Sequence, residues 1–223
     1  MIDSWLEWTN PAYQSQESRW TACRDVMEGE DVVKAQEDEY LPIPTGMDSA
    51  QYKEYRVRAA FVALAARAKE AMRGLVFRKR PLLVCPPEVR ALCADITTTG
   101  LSLDQLASYA LSELLEVGRG GFLVEYPTND DPAPTLQDVS DSGLRPYLAY
   151  YRAEDILDWR EGRIGNKKVL TYVKLREVSS EPSPSNPYAS DEVRRIRVLK
   201  LDEEGYCAFE VWERRVPLTG TVG

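Results

Sequence analysis

Residues 47–81 read MDSAQYKEYRVRAAFVALAARAKEAMRGLVFRKRP, and the rest of the chain is arranged around them. Thr45 and Asp48 stand three apart, the spacing at which a side-chain oxygen caps the free N–H groups of a helix start. Val57, Phe61, Leu64, Ala68, Met72 and Leu75 follow at steps of four, three, four, four and three. That period predicts one apolar face on a single long helix. Gly74 is its expected stop, because glycine closes a helix in the left-handed conformation without steric penalty. Alanines at 59, 60, 63, 65, 66, 68 and 71 add helix propensity and a small volume that lets another element approach. Phe61 and Leu64, in the middle of the stripe, are expected to be buried. The segment leaves through Arg78-Lys79-Arg80-Pro81, basic and ended by a residue that cannot extend a helix.

Upstream, residues 1–20 are polar yet carry Trp5, Trp8 and Trp20. Three tryptophans exceed what a solvated tail carries, so they read as anchors for a surface. Residues 20–33 read as a short helix broken near Gly29. Tyr40-Leu41-Pro42-Ile43-Pro44 reads as an extended connector, since proline holds the preceding residue extended. Residues 1–40 hold three basic and ten acidic side chains, a charge of −7; residues 52–81 hold nine basic and two acidic ones, +7. Opposite charge beside apolar anchors predicts that 1–40 docks on 52–81, in the same subunit or in the next. Two solvated faces that never meet are the alternative.

Downstream, residues 82–85 read as a short extended piece before Pro86-Pro87 and a helical turn around 89–92. Ser102 and Gln105 have capping-box spacing. Leu103, Leu106, Ala107, Ala110, Leu114 and Val117 predict a second amphipathic helix, closed by Gly118. Gly118-Arg119-Gly120-Gly121 follows that helix and opens a strand at 122–126. Phosphate-binding glycine loops run in the reverse order, and the G-K-[ST] ending is missing, so a tight helix-to-strand turn is expected. Residues 127–143 read as a solvated loop whose Asp130, Asp131, Asp138 and Asp141 lack the spacing of calcium ligands. Strands at 146–151 and 157–160 flank a turn at 153–156. Beyond them an antiparallel meander is expected. Val169, Thr171, Val173 and Leu175 share one face, with Leu170, Tyr172 and Lys174 on the other, and residues 193–201 alternate likewise. Residues 179–191, rich in Ser, Pro and Asn, read as a loop. Asp202-Glu203-Glu204-Gly205 reads as a hairpin turn before a last strand at 206–214.

The fold class expected is α+β, long N-terminal helices packed on a mostly antiparallel sheet. The reading divides the chain into an arm and short helix (1–44), a helical part with the first strand (45–126), a β-rich part (127–216) and a short tail (217–223). There is no histidine, which removes the commonest general base, the commonest metal ligand and every histidine-dependent triad. The net charge of −8 argues against generic nucleic-acid binding over the whole surface. With 43% hydrophobic and 29% charged residues the composition is that of a soluble globular protein. No run approaches the roughly 18 apolar residues of a membrane helix. Asp3 and Glu7 stand where a signal peptide would be basic and then apolar, so a cytosolic start is expected. Cys23, Cys85, Cys93 and Cys207 lack metal-ligand spacing and read as buried free thiols in a reducing compartment. No catalytic residue, cofactor or metal is expected. The candidate interaction residues are Trp5, Trp8, Trp20, Arg78, Lys79 and Arg80.

The ordered blocks WTACRDVMEGEDVVK, YLPIP, AFVALAARAKEAMRGLVFRKRP, TTGLSLDQLA, ELLEVGRGGFLVEYP, RPYLAYYRAEDILDW and RRIRVLKLDEEGYCAFEVWE run from Trp20 to Glu213. In that order they resemble the N-terminal half of tailed-bacteriophage portal proteins, in a family long known only as a domain of unknown function. No single block is a catalytic signature; their succession carries the resemblance. It implies a non-enzymatic structural subunit of a ring, usually of twelve copies, at one capsid vertex of the virion, assembled in the host cytoplasm. Double-stranded DNA passes through such a ring, and terminase, capsid and tail or adaptor proteins dock on it. No membrane is involved. Residues 1–223 would correspond to the wing, the outer disc. The stem and clip regions that line the family's channel have no counterpart here, so this portion alone is expected to fold without forming a stable ring.

Two rival readings come from the residues themselves. One is an enzyme using Glu113, Glu116 and Glu125 near the glycine loop, which the spacing of those carboxylates decides. The other is a DNA-binding or adaptor module using Arg78, Lys79 and Arg80, which would show a salt-dependent affinity for duplex DNA.

Overall fold

The computed structural model describes Leu6 and residues 8–127, 144–184 and 186–217. The expectations for Trp5, for the aspartates of the 127–143 loop and for the tail beyond Pro217 fall outside these residues. The fold is α+β. Six α-helices are described: α1 (Pro11–Glu28), α2 (Glu30–Ala35), α3 (Ser49–Arg58), α4 (Leu64–Val76), α5 (Pro87–Leu92) and α6 (Leu103–Val117). Strands β1 (Gly120–Glu125) and β2 (Tyr147–Arg152) form a two-stranded sheet. Strands β3 (Ile156–Ile164), β4 (Lys167–Ser183), β5 (Asn186–Leu201) and β6 (Cys207–Pro217) form a meander in sequence order. The chain divides into two compact units, Ser18–Tyr150 and Met1–Glu17 with Tyr151–Gly223.

In the first unit the stretch 47–81 corrects its own reading, because it is two helices and not one. Asp48, rather than Thr45, caps α3: its carboxylate accepts from Gln51 N at 2.8 Å, and the Gln51 side chain returns the bond to Asp48 N. The helix stops at Arg58, and Ala59 is extended at ψ 132°. Leu64 N–H then turns back to Val62 O at 2.7 Å, so a local turn replaces the helical ladder. Phe61 and Val62 lose χ1 freedom in a helix, and they mark the break between the alanines. Gly74 does not end α4, which runs on to Val76 with Phe77 as its cap. Because the direction changes at 59–63, the stripe never forms one face. Val57, Leu64, Met72 and Leu75 are 52–71% exposed and Phe61 is half-buried.

Helix α6 behaves as its pattern expects at both ends. Ser102 and Gln105 complete the capping box, and Gly118 takes φ 75°, the left-handed C-cap that leads into β1. Its inner face carries Leu106, Ala110 and, unexpectedly, Glu113, while Leu114 stays half exposed. Among the described residues of this unit, Trp20, Val33 and Tyr52 are the other buried apolar ones. At the corner after α2, the Tyr40 hydroxyl donates to Asp25 at 2.7 Å. That bond, with burial, pushes the Tyr40 phenol up to about 12.

In the second unit α1 starts nine residues before the expected Trp20. Pro11 opens it with φ preset, and the Asn10 side chain accepts from Ala12 N at 2.9 Å, the role of an N-cap. Tyr13 is buried at 2% exposure, and its hydroxyl donates to Glu154 O at 3.2 Å. Leu157, Leu175, Val193 and Val198 fill the adjoining sheet core. The expected loop at 179–191 is another correction: β4 and β5 stay paired from Tyr172↔Lys200 to Ser183↔Asn186. Pro182, which has no N–H to give, falls where the register shifts, a position that tolerates it. Arg195 bridges the outer part of the sheet to Glu181 and to Glu213 on β6, and Arg197 reaches Glu177 at 2.6 Å. The Asp202–Gly205 turn follows the sequence reading, with Gly205 at φ 91°.

Candidate assembly surfaces

In the unit Ser18–Tyr150, the side chains of α1, α4 and α6 meet in an ion network. Arg24 donates to Glu113 and to Glu116, both at 2.7 Å, and Lys69 donates to the other oxygen of Glu116 at 2.8 Å. The four side chains are 9–16% exposed, so water screens them little. Burial pushes the Glu116 carboxyl up, but hydrogen bonds from Lys69 and Arg24 outweigh it and hold the group below its usual range. A carboxylate clamped by two cations has no proton to give at neutral pH. Glu125 lies at the end of β1, where the Tyr147 hydroxyl donates to it. Of the three glutamates of the enzyme reading, Glu113 and Glu116 are thus held by cations and Glu125 accepts from a tyrosine hydroxyl.

The basic exit of α4 is differently placed. Arg80 pairs with Asp104 at 2.7 Å, beside a cleft of about 290 Å³ lined by Leu83, Arg90 and Cys93. Arg78 and Lys79 are exposed and form no ion pair among the described residues. The Cys93 thiol donates to Val89 O at 3.1 Å, and burial, followed by the neighbouring Cys85 thiol, pushes it up. None of the four cysteines is buried outright: Cys23, Cys85 and Cys93 are half-buried and Cys207 is exposed, all of them free. That corrects the expectation of buried thiols. No cluster of three or more metal-ligating side chains occurs among the described residues, and none of their helices is long and apolar enough to cross a membrane.

The candidate anchors separate. Trp20 is 5% exposed within α1, with the Arg119 guanidinium 5.6 Å from its ring. Trp8 belongs to the other unit, half exposed, with Lys174 Nζ 5.8 Å from its ring and bonded to its carbonyl. The acidic and basic stretches do meet, through the Glu37–Arg56 ion pair and a bond from Lys34 Nζ to Val57 O at 3.1 Å. One acid–base pair thus joins the two stretches, while Trp20 takes the Arg119 guanidinium and Trp8 the Lys174 ammonium over its ring.

Sequence reasoning missed a buried charge cluster under Trp8. Lys174 and Asp158 are each 1% exposed, and Asn10 Nδ2 donates to Asp158 Oδ1 at 3.0 Å. Burial pushes the Lys174 ammonium down, against the pull of Asp158. The cluster fixes the N-terminal segment to the sheet.

Among the described residues, open apolar side chains cluster in several places besides β1, where Phe122 and Val124 are 53% and 70% exposed. One is α4, with Leu64, Met72 and Leu75. A second is the extended segment after it, where Leu82 and Val84 are 92% and 84% exposed. A third is β6, with Phe209, Val211 and Trp212. Scattered apolar residues are normal on a surface, whereas runs of them mark contact with a partner. No protein-family model matches the chain, and no curated protein is significantly similar to it.

Proposed function

We propose that this chain is a structural subunit of a bacteriophage portal ring, corresponding to the wing. The observation that carries the reading is the order of the sequence blocks from Trp20 to Glu213. The physical character of the molecule supports it. An assembly subunit needs contact surfaces, and α4, the 82–84 segment and β6 leave large apolar side chains open. The glutamates nearest the glycine loop are committed to cations or a tyrosine hydroxyl, which suits a structural role. A negative overall charge would discourage DNA from adhering during passage, because repelled phosphates release no counterions. The ring, its DNA passage and the docking of terminase, capsid and tail proteins all belong to this proposal. Electron microscopy of the protein expressed from its complete gene tests it. A ring with a central hole is the expected result, and particles without one overturn the reading.

One observation favours a second reading. Exposed Arg78 and Lys79, with no ion pair among the described residues, could contact phosphates as an adaptor or DNA-binding module. Duplex binding that weakens with salt and is lost on neutralising both side chains would replace the portal reading with this one.

A further inference from the structure

Strand β6 is the outer strand of the four-stranded sheet. Strand β5 pairs with one of its edges from Asp191↔Pro217 to Leu201↔Cys207 without a bulge, and among the described residues no strand pairs with the other edge. Along these eleven residues the alternate backbone N–H and C=O groups that turn away from β5 form a template for another strand. Its faces are open too: Phe209, Val211 and Trp212 are 54%, 43% and 44% exposed.

The side chains say which strand fits. Alternation puts Ala208, Glu210, Trp212, Arg214 and Val216 on one face. That order is its own complement when reversed. Set antiparallel against a copy of itself with Trp212 opposite Trp212 of the partner subunit, β6 places Glu210 opposite Arg214 of the partner subunit, and Arg214 opposite the partner's Glu210. Ala208 then faces the partner's Val216. On the other face Phe209 meets the partner's Arg215, a cation–π pairing. A slip that brings Glu210 opposite the partner's Glu213 sets like charges against each other, so the register is specified.

Within the subunit Arg214 lies directly across from Arg194, a like-charge pair on the sheet. Arg194 turns to Glu192, and Arg214 forms no ion pair among the described residues. Its missing carboxylate is the one the second copy supplies. Glu210, paired with Lys200 at 2.9 Å, keeps a half-exposed side chain that can take a second cation.

We propose that a second copy of this chain docks on β6, antiparallel, about a two-fold axis at Trp212, joining two four-stranded sheets into one. This goes beyond the portal reading, since a ring contact joins two different surfaces head to tail, whereas a two-fold contact uses one patch twice.

Light scattering on the full chain across a concentration series tests the pairing, with circular dichroism to check folding. The wild type is expected to be a dimer. Glu210→Arg alone and Arg214→Glu alone each set two like-charge pairs across the axis and should weaken dimerisation about tenfold or more. Mixing those two variants makes every pair complementary, so a mixed dimer should form where neither forms by itself. The double variant, with both charges exchanged, should dimerise as the wild type does. A monomeric wild type, or a dimer indifferent to both single changes, overturns the proposal. An assembly of about twelve copies that ignores the charge changes overturns it as well, while favouring the ring.

Discussion

Lys174 shares a face of β4 with Leu170 and Tyr172, and that spacing by itself does not say where its charged head goes. The folded chain buries it, because Trp8 and Asn10, about 165 residues away in sequence, lie over that part of the sheet. No local pattern encodes such a contact, so neither Lys174 nor Asp158 was legible. Lys174 holds the N-terminal segment through the Trp8 carbonyl and attracts buried Asp158, whose carboxylate would be left with the more exposed Arg160 at 3.8 Å as its cation. Lys174→Met should therefore destabilise the protein by roughly 3–5 kcal/mol, and adding Asp158→Asn should recover part of that loss. Urea unfolding of the two variants and the wild type measures both effects. Glu116 gives a pH signature. Its folded pKa lies below the usual 4.5, so the unfolded chain binds protons more readily. The stability this group adds is fully present above that usual value and is lost as the pH falls through the folded one. Glu116→Gln should cost roughly 1–3 kcal/mol at neutral pH, and the gap should close on the acid side of 4.5. A gap that persists in acid would mean that shape, not charge, is what Glu116 supplies.

Helix α6 and the segment 47–81 show what a periodic pattern can and cannot tell. In α6 the capping box, the glycine stop and the apolar spacing agree, and the element forms between its expected bounds. In 47–81 spacing alone linked two helices, and the ladder breaks at 59–63, where Ala59 is extended and Leu64 N–H turns back to Val62 O. Leu64→Ala should change stability by no more than about 0.5 kcal/mol, since Leu64 is 68% exposed. Leu106→Ala, at 2% exposure, should cost roughly 2–5 kcal/mol. Thermal unfolding distinguishes them. Equal losses would mean that Leu64 has a covering partner in solution. Composition misled at 179–191 for a related reason. Ser, Pro and Asn there are outvoted by a ladder to β5 that shifts register only at Pro182 among the described pairs, and by Arg195, which ties Glu181 to Glu213 across three strands.

At the scale of the whole molecule, charge imbalance between 1–40 and 52–81 was a legible signal, and Glu37–Arg56 realises it. What each tryptophan would touch was not legible, because an aromatic anchor carries no address. Trp20→Ala should destabilise the unit Ser18–Tyr150 by roughly 3–5 kcal/mol, as it is 5% exposed, and fluorescence-detected unfolding would register the change. An effect under about 1 kcal/mol would place Trp20 outside the cooperative core. The division into units also has a consequence in time. Ser18–Tyr150 is continuous in the chain, whereas the other unit joins Met1–Glu17 to everything after Tyr150. During synthesis on the ribosome the continuous unit has all its residues first. The segment with Trp8 and Tyr13, among the earliest to emerge, must wait for β3 and β4 to be translated before it can be covered. A nascent chain stalled once residue 150 has cleared the ribosome should resist protease over 18–127 while being clipped before Glu17, and release of the finished chain should remove that early cut.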